Sequence, residues 1–291
     1  MFFSPVGSCP DWYRLLRIDR PVGYWLLLWP TLWGLLAASG GLPSLKNTLV
    51  FVGGVLLMRS AGCVVNDFAD RNFDPHVERT KDRPIAAGRI SPRAALAGFM
   101  LMLTMALLLV VQTSAFVVEL AVVGAVLAGC YPFLKRYTHF PQAWLGMSFG
   151  WGAVMAWAAE AGDISSPVPW LLFAANICWS LSYDTAYALG DREDDLKIGV
   201  KSTALWLGEH AVPAIVLLGL LAVALLGVVA FELGGFWVGM SWWMALILQL
   251  LLCGRLLRCG ERWGFTFFLQ SHYVGMLFVS GFVMQGLSTL F

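Results

Sequence analysis

The sequence predicts an all-α, polytopic integral membrane protein with nine transmembrane helices. Only 13% of its 291 residues are charged and 59% are hydrophobic, whereas charged residues make up about 25% of a typical soluble domain. Apolar runs also recur that can cross roughly 30 Å of hydrocarbon, a distance that takes about 20 residues of helix. The nine predicted spans are 21–38, 48–66, 94–111, 115–134, 142–159, 168–189, 211–230, 236–253 and 272–290.

The elements follow one another with short connections. The first apolar run is longer than the core of a signal peptide, so it is predicted to remain as the first span. Residues 112–114, which read QTS, predict a tight turn between the third and fourth spans. No connection is long enough for a separate soluble domain, so residues 1–291 are predicted to form a single membrane-embedded domain.

Lys and Arg are concentrated in alternate connections, which predicts the orientation of the chain. The intervening connections carry only Lys46. By the positive-inside rule the N-terminus is cytoplasmic and the C-terminus lies outside. The formal net charge of +1 and the lack of a basic tail give no indication of a nucleic-acid partner. The basic residues of the cytoplasmic set are Arg14, Arg17, Arg20, Arg71, Arg79, Lys81, Arg83, Arg89, Arg93, Lys135, Arg136, Arg192, Lys197, Lys201, Arg255, Arg258 and Arg262.

Two acidic motifs stand at the cytoplasmic ends of the second and sixth spans. Residues 66–74 read NDFADRNFD and residues 184–195 read DTAYALGDREDD. A helix turns 100° per residue, so polar side chains four residues apart share one face. The side chains predicted to share these faces are Asn66, Asp70 and Asp74 in the first motif and Tyr187, Asp191 and Asp195 in the second.

The chemistry of these motifs predicts a magnesium site. Carboxylate and amide oxygens are the ligands that Mg²⁺ prefers, and the six cysteines have no metal-ligand spacing. Magnesium commonly bridges carboxylates to substrate phosphates, so two opposed acidic faces predict a diphosphate held between metal ions. Basic residues in the adjoining loops would contact phosphate directly. The simpler alternative is that the acids only mark helix ends at the membrane surface, where exposed charge costs little.

Arg59 is predicted to lie deeper on the same face as Asn66, about 10 Å away at 1.5 Å per residue. A buried arginine needs an anion. The residue therefore either pairs with an aspartate of the motif or helps to bind substrate. In the second motif Asp184 precedes Asp191 by seven residues, as Arg59 precedes Asn66. Asp184 is therefore predicted to be the counterpart of Arg59.

At these motifs the chain resembles the UbiA-type membrane prenyltransferases, which carry N-D-x-x-D-x-x-x-D and D-x-x-x-D sequences. The likeness extends to RIDRPVG at 17–23, YPFLKRYT at 131–138 and DLKIGVKST at 195–203. Within that superfamily it is nearest to the bacterial enzymes that prenylate 4-hydroxybenzoate for ubiquinone biosynthesis. The resemblance implies nine helices around a central cavity, a location in the bacterial inner membrane and an active site on the cytoplasmic side.

The resemblance also implies a reaction and a set of roles. A polyprenyl diphosphate would lose diphosphate with the help of Mg²⁺, and the ring carbon ortho to the phenol of 4-hydroxybenzoate would attack the allylic cation and then lose its proton. The tail would lie in an apolar groove open to lipid. The predicted metal ligands are Asn66, Asp70, Asp74, Asp191 and Asp195, the four aspartates being the catalytic set. The predicted substrate contacts are Asn66, Arg20, Arg59, Lys135, Arg136, Tyr187, Lys197 and Lys201.

Three alternatives remain open from the sequence. The enzyme could use a different aromatic acceptor. Intramembrane carboxylates also serve cation- or proton-coupled transporters, although those predict acids near the middle of the membrane. A phosphotransferase for lipid alcohols would be expected to carry a single D-x-x-D-G-x-x-A-R-type run, which this chain lacks.

Overall fold

The computed structural model describes residues 7–76, 80–134, 137–192, 199 and 201–291. All regular secondary structure within those ranges is helical. Short 3-10 turns cover Asp74–His76, Leu189–Asp191, Gly208–His210 and Gly260–Trp263. The α-helices are α1 Cys9–Leu15, α2 Val22–Ala38, α3 Leu45–Ala69, α4 Pro92–Val110, α5 Ala115–Leu134, α6 Pro141–Ala161, α7 Pro167–Ala188, α8 Thr203–Leu207, α9 Ala211–Leu233, α10 Phe236–Cys259 and α11 Gly264–Ser288.

Within the described ranges, nine long helices match the nine predicted spans: α2 to α7 and α9 to α11. The tight turn predicted after α4 is confirmed, since α4 ends at Val110 and α5 begins at Ala115. The largest boundary error concerns α11, which begins at Gly264 rather than at residue 272. Gln270, Ser271 and His272 lower the mean hydropathy of its first half, but Ser271 is buried and donates its hydroxyl to the carbonyl of Phe267 at 2.7 Å.

Length and apolar composition identify membrane-spanning helix in four stretches of the described chain. These are Leu45–Ala69, Pro92–Val110, Thr203–Leu233 and Phe236–Ser288, the last of which contains both α10 and α11. The helices Val22–Ala38 and Ala115–Tyr131 are apolar but shorter. The protein is therefore an integral membrane protein.

Serine and proline define where several helices begin. The hydroxyls of Ser44, Ser91, Ser166 and Ser202 each accept a hydrogen bond from a backbone N–H in the first turn of α3, α4, α7 and α8. Such caps satisfy donors that have no partner inside the helix. A proline occupies the first turn of α4, α6 and α7, where its missing N–H costs nothing.

The long helices form a closed ring in which each contacts the next and α11 returns to contact α2. Helices α2, α6, α7, α9, α10 and α11 share one apolar core, centred on Trp33, Trp179 and Phe278. Trp33 donates its indole N–H to the carbonyl of Gly275 at 3.1 Å, which joins α2 to α11. The side of the ring from α2 to α6 instead surrounds open space, and the apolar cavity described below lies there.

Candidate active site

A polar chamber of about 290 Å³ lies at the end of the bundle where α3 and α7 terminate. Residues of both acidic motifs line it, so the two motifs face one common space. The lining comes from the α1–α2 connection, from α3, α5, α6 and α7, and from two loops. Its polar and ionisable lining residues are Arg17, Arg59, Cys63, Asn66, Asp67, Asp70, Arg83, Tyr131, Gln142, Asp184, Tyr187, Asp191, Lys201 and Ser202.

The first motif does not continue as one helical face, contrary to the prediction. Helix α3 ends at Ala69, with Asp70 as its C-cap, and Asp74 begins a separate 3-10 turn. Asn66 and Asp70 line the chamber. Asp74 is not part of the lining: it is 6% exposed and accepts a hydrogen bond from Arg83 at 3.0 Å. The arginine draws this carboxylate into the loop, which helical spacing could not reveal.

The second motif also extends beyond the end of its helix. Helix α7 ends at Ala188 and a 3-10 turn carries the chain to Asp191. Tyr187 and Asp191 both line the chamber as predicted, and so does Asp184, one turn deeper. Asp195 lies outside the described residues, so its predicted role stays a prediction.

Asp67 links two arginines at the chamber wall. Its side chain is 2% exposed, and its Oδ1 lies 2.8 Å from Nη2 of Arg17 and 3.1 Å from Nη1 of Arg83. Burial acts to lower the pKa of Arg83, but the carboxylates of Asp67 and Asp74 outweigh it and raise that pKa above its usual value. Arg83 is therefore a fixed positive charge.

The turn between α1 and α2 positions Arg17. Arg17 has a φ of 61°, in the left-handed region that costs a non-glycine residue about 1–2 kcal/mol. Two contacts hold this turn in place. Leu15 is fully buried in a small core with Val64 and Ile90, and the hydroxyl of Tyr24 donates to the carbonyl of Leu16 at 2.7 Å.

Arg20 is not brought to the chamber, although it was predicted to contact substrate. Its side chain is 83% exposed and lies 3.7 Å from the carboxylate of Asp19. Because of the left-handed turn at Arg17, Arg17 itself points into the chamber instead of Arg20. Three other predicted contacts, Lys135, Arg136 and Lys197, lie outside the described residues and stay predictions.

Lys201 does reach the chamber, because its loop is attached to the start of α6. The side-chain oxygen of the buried Gln142 accepts hydrogen bonds from the backbone N–H of Thr203 at 3.1 Å and from its hydroxyl at 2.8 Å. Nζ of Lys201 donates to the carbonyl of Tyr137 at 3.2 Å. These contacts hold a cation opposite α3.

Arg59 stands where the chamber meets a second, apolar cavity. It lines both, and its buried Nε has no hydrogen-bond partner in the described part of the chain. Gly23 of α2 makes room for it, because a Cβ at that position would collide with the guanidinium. Arg59 therefore brings a guanidinium with an unused donor to the junction of the two cavities, and such a group can bind an anion.

The apolar cavity has a volume of about 370 Å³ and is enclosed by α2 to α6. Along α3 it extends from Asn66 to Val50, about 24 Å at 1.5 Å per residue. Arg59, Asn66 and Tyr131 line both cavities, so a ligand with a charged head and an apolar tail could occupy them together.

Comparison with known proteins identifies the family. The sequence profile described as "UbiA prenyltransferase family" matches residues 27–271. The chain belongs to the UbiA prenyltransferase family. Its relatives include a 4-hydroxybenzoate octaprenyltransferase of Ectopseudomonas mendocina (strain ymp). The two sequences are 46% identical over an alignment of 288 residues, and the match covers 94% of this chain and 93% of the relative. Another of the same name, from Vibrio cholerae, is 45% identical over 278 residues, covering 94% of this chain and 96% of the relative.

Solved structures of UbiA proteins share the fold. A UbiA homolog from Aeropyrum pernix K1 in its apo form has a TM-score of 0.78 at 23% identity, covering 89% of this chain and 97% of that one. A UbiA homolog from Archaeoglobus fulgidus bound to GPP and Mg²⁺ has a TM-score of 0.71 at 18% identity, covering 94% of this chain and 99% of that one. For the residues that the structure describes, the prediction of nine helices around a central cavity is therefore confirmed.

The donor set of this UbiA chamber suits a hard cation. Within the described ranges no three His, Cys, Asp or Glu side chains converge as a preformed metal cluster. The chamber instead combines the amide of Asn66 with the carboxylates of Asp70 and Asp191. Oxygen donors with room for water and phosphate are what Mg²⁺ requires.

Several lining residues were missed as candidates from the sequence. Arg17 and Arg83 belong to basic runs that alone do not show which member turns inward. Asp67 lies inside the first motif but off its predicted face. Tyr131 was part of a recognised stretch with no role attached. Ser202 was also part of a stretch that resembles the family, with no role attached, and Gln142 gave no signal that could have found it.

Proposed function

We propose that this UbiA protein transfers a polyprenyl chain from polyprenyl diphosphate to 4-hydroxybenzoate, at the ring carbon ortho to the phenol, and releases diphosphate. The main support for this proposal is that the polar chamber and the apolar cavity share the lining residues Arg59, Asn66 and Tyr131. The polar chamber suits the diphosphate and the acceptor, and the apolar cavity suits the tail. The names of the relatives support an octaprenyl-like donor.

The charge of the chamber supports a role for Mg²⁺. The charged side chains of its described lining are four cations and four carboxylates, so their formal charges cancel. A diphosphate would bring in excess negative charge, and a bound divalent ion supplies positive charge and stabilises the departing diphosphate. The cations are Arg17, Arg59, Arg83 and Lys201, and the carboxylates are Asp67, Asp70, Asp184 and Asp191.

We assign the metal to Asn66, Asp70 and Asp191, whose oxygens line the chamber from α3 and the end of α7. Asp74 and Asp195 stay in the proposed set: the first is engaged by Arg83 and the second lies outside the described residues. Arg83 and Lys201 are fixed cations that bind phosphate oxygens. Asp67 keeps Arg17 and Arg83 in place.

Arg59 is proposed to bind an anionic group of substrate at the mouth of the apolar cavity, beside Tyr131. At that point the acceptor ring would meet the first carbon of the prenyl chain. The apolar cavity excludes water from the allylic cation, which water would otherwise quench. Holding the two reactants together also removes much of the entropic barrier.

We propose the bacterial inner membrane as the location, with the chamber on the cytoplasmic side. The basic residues of the described connections lie at the chamber end of the helices, and Lys46 lies at the opposite end. The positive-inside rule supports that orientation. A cysteine-accessibility assay with single-cysteine variants near Arg14 and near Lys46 would test it in intact cells.

The function is tested with protein purified in detergent. Diphosphate release that requires Mg²⁺, a prenyl diphosphate and 4-hydroxybenzoate together, with a prenylated product of the expected mass, is the expected result. Release that does not depend on the aromatic acid would contradict the proposal. Uptake of either substrate into vesicles without diphosphate release would favour a transporter.

A further inference from the structure

The apolar cavity follows one face of α3, and two glycines belong to that face. Its α3 lining is Val50, Phe51, Gly54, Val55, Met58, Arg59, Gly62 and Asn66. These positions recur every three to four residues, which is the spacing of one side of a helix. The wall of the cavity along α3 is therefore bulky except at residues 54 and 62.

Neither glycine is there to accommodate a neighbouring part of the protein. Among the described residues, no heavy atom lies within 4 Å of a Cβ placed at Gly54 or at Gly62. The adjacent Gly53 differs, since a Cβ there would lie 3.0 Å from Cδ1 of Leu109 in α4. A glycine in the interior of a helix lowers the stability of the helix relative to alanine. What these two glycines leave open is space in the cavity.

Gly54 and Gly62 lie at different distances from the chamber along the axis of α3. Gly62 lies about 6 Å from Asn66 along the helix axis, between the levels of Arg59 and Asn66, where the chamber joins the cavity. Gly54 lies about 18 Å from Asn66, beyond Arg59 and toward the far end of the cavity. A short prenyl chain with its diphosphate in the chamber would pass Gly62 alone, whereas a long chain would pass both.

We propose that Gly54 determines the length of prenyl chain that the cavity accepts, and that Gly62 keeps the passage from the chamber open to donors of every length. This inference rests on the proposed function and assigns the specificity of the same site. A leucine at position 54 would occupy space that only a long donor needs. A leucine at position 62 would obstruct the part of the tail next to the diphosphate.

The test compares two donors in the same purified protein, with Mg²⁺ and 4-hydroxybenzoate: geranyl diphosphate and octaprenyl diphosphate. For Gly54→Leu we expect kcat/KM with the octaprenyl donor to fall roughly tenfold or more while geranyl transfer changes less than about threefold. For Gly62→Leu we expect a loss of roughly tenfold or more with both donors. Gly54→Ala should fall between wild type and Gly54→Leu with the long donor.

Gly129→Leu is the matched control. Gly129 lies in α5, is exposed, does not line the cavity, and would also meet no heavy atom with a Cβ. It should transfer both donors as the wild type does. Leucine is a better helix former than glycine, so none of these changes weakens its helix, and thermal unfolding of each purified variant checks this.

Two results separate the inference from the proposed function. If the wild type prenylates 4-hydroxybenzoate and Gly54→Leu loses both donors equally, or neither, the inference is overturned and the function stands. If the wild type forms no prenylated product with either donor, the proposed function fails and takes the inference with it. Selective loss of the octaprenyl donor in Gly54→Leu supports both.

Discussion

Arg17 and Asp67 form an ion pair in the wall of the chamber, in which one arginine nitrogen contacts both carboxylate oxygens. Nη2 of Arg17 lies 2.8 Å from Oδ1 and 3.0 Å from Oδ2 of Asp67, although the two residues are 50 positions apart. The pair fixes the α1–α2 turn against the end of α3. The unfavourable left-handed backbone of Arg17 is maintained by this contact and by the packing of Leu15.

Replacing Asp67 by Asn should destabilise the protein. The change removes a buried carboxylate and leaves the guanidinium groups of Arg17 and Arg83 facing a neutral side chain. Breaking one partner of a buried pair costs about 3–5 kcal/mol, and the partial exposure of both arginines places this case near the lower end. Thermal unfolding in detergent measures the effect. Asp19→Asn, which affects an exposed pair, is the control and should change stability by less than about 0.5 kcal/mol.

Asp70→Asn and Asp191→Asn should lower turnover by about a hundredfold or more, because each removes an oxygen charge proposed to hold the metal. Both residues line the chamber and lie outside the apolar cores, so the variants should still insert and fold. Diphosphate release and a melting curve are measured on the same preparation. Near-normal turnover in either variant would count against its proposed role.

Removing divalent cations should abolish turnover without unfolding the protein. The apolar cores hold α3 and α7 in place, so excess EDTA should leave the circular dichroism spectrum unchanged. Added Mg²⁺ should then restore diphosphate release. Full activity in EDTA would contradict the metal role that we propose.

Gly23→Ala should impair substrate binding through Arg59. The new Cβ would collide with the guanidinium and displace it from the junction of the cavities. If Arg59 binds an anionic group of substrate, we expect KM for that substrate to rise about tenfold with a smaller change in kcat. Gly254→Ala is the control, because a Cβ there would meet nothing within 4 Å. Kinetics with each substrate varied in turn identify the one that Arg59 contacts.

Gly34→Ala should weaken the contact between α2 and α6. A Cβ at Gly34 would lie 2.7 Å from the backbone carbon and 2.8 Å from Cα of Ala153, and backbone atoms cannot move aside cheaply. Overpacking of this kind costs about 1–3 kcal/mol. The variant should unfold at a lower temperature than the wild type. An unchanged unfolding temperature would mean that the two helices separate easily.

The prediction of the fold succeeded because its signal is local. An apolar run of about 20 residues identifies a span without knowledge of its partners, and the nine long helices of the described chain begin and end close to the predicted positions. The exception was α11, whose first half mixes polar with apolar residues and includes the buried Ser271. Hydropathy measures composition, so it could not detect a polar residue that finds its partner inside the protein.

For the site, the sequence identified the motifs but not all of their geometry. Asn66, Asp70, Tyr187, Asp191, Lys201 and Arg59 line the chamber as expected. Asp74 does not, because α3 ends before it and Arg83 binds its carboxylate. Arg20 does not either, because the left-handed turn at Arg17 brings a different arginine inward.

The sequence by itself determined the class of protein, the number of spans and the residue types that can hold a cation and a diphosphate. Those properties depend on composition and on spacing within one segment. It took the packing of the helices to show which aspartates line the chamber, which arginines pair with Asp67, and that among the described residues none contacts a Cβ placed at Gly54. The physical reason is that an ion pair or a cavity needs atoms from segments far apart in the chain, and their distances are fixed only when the helices pack.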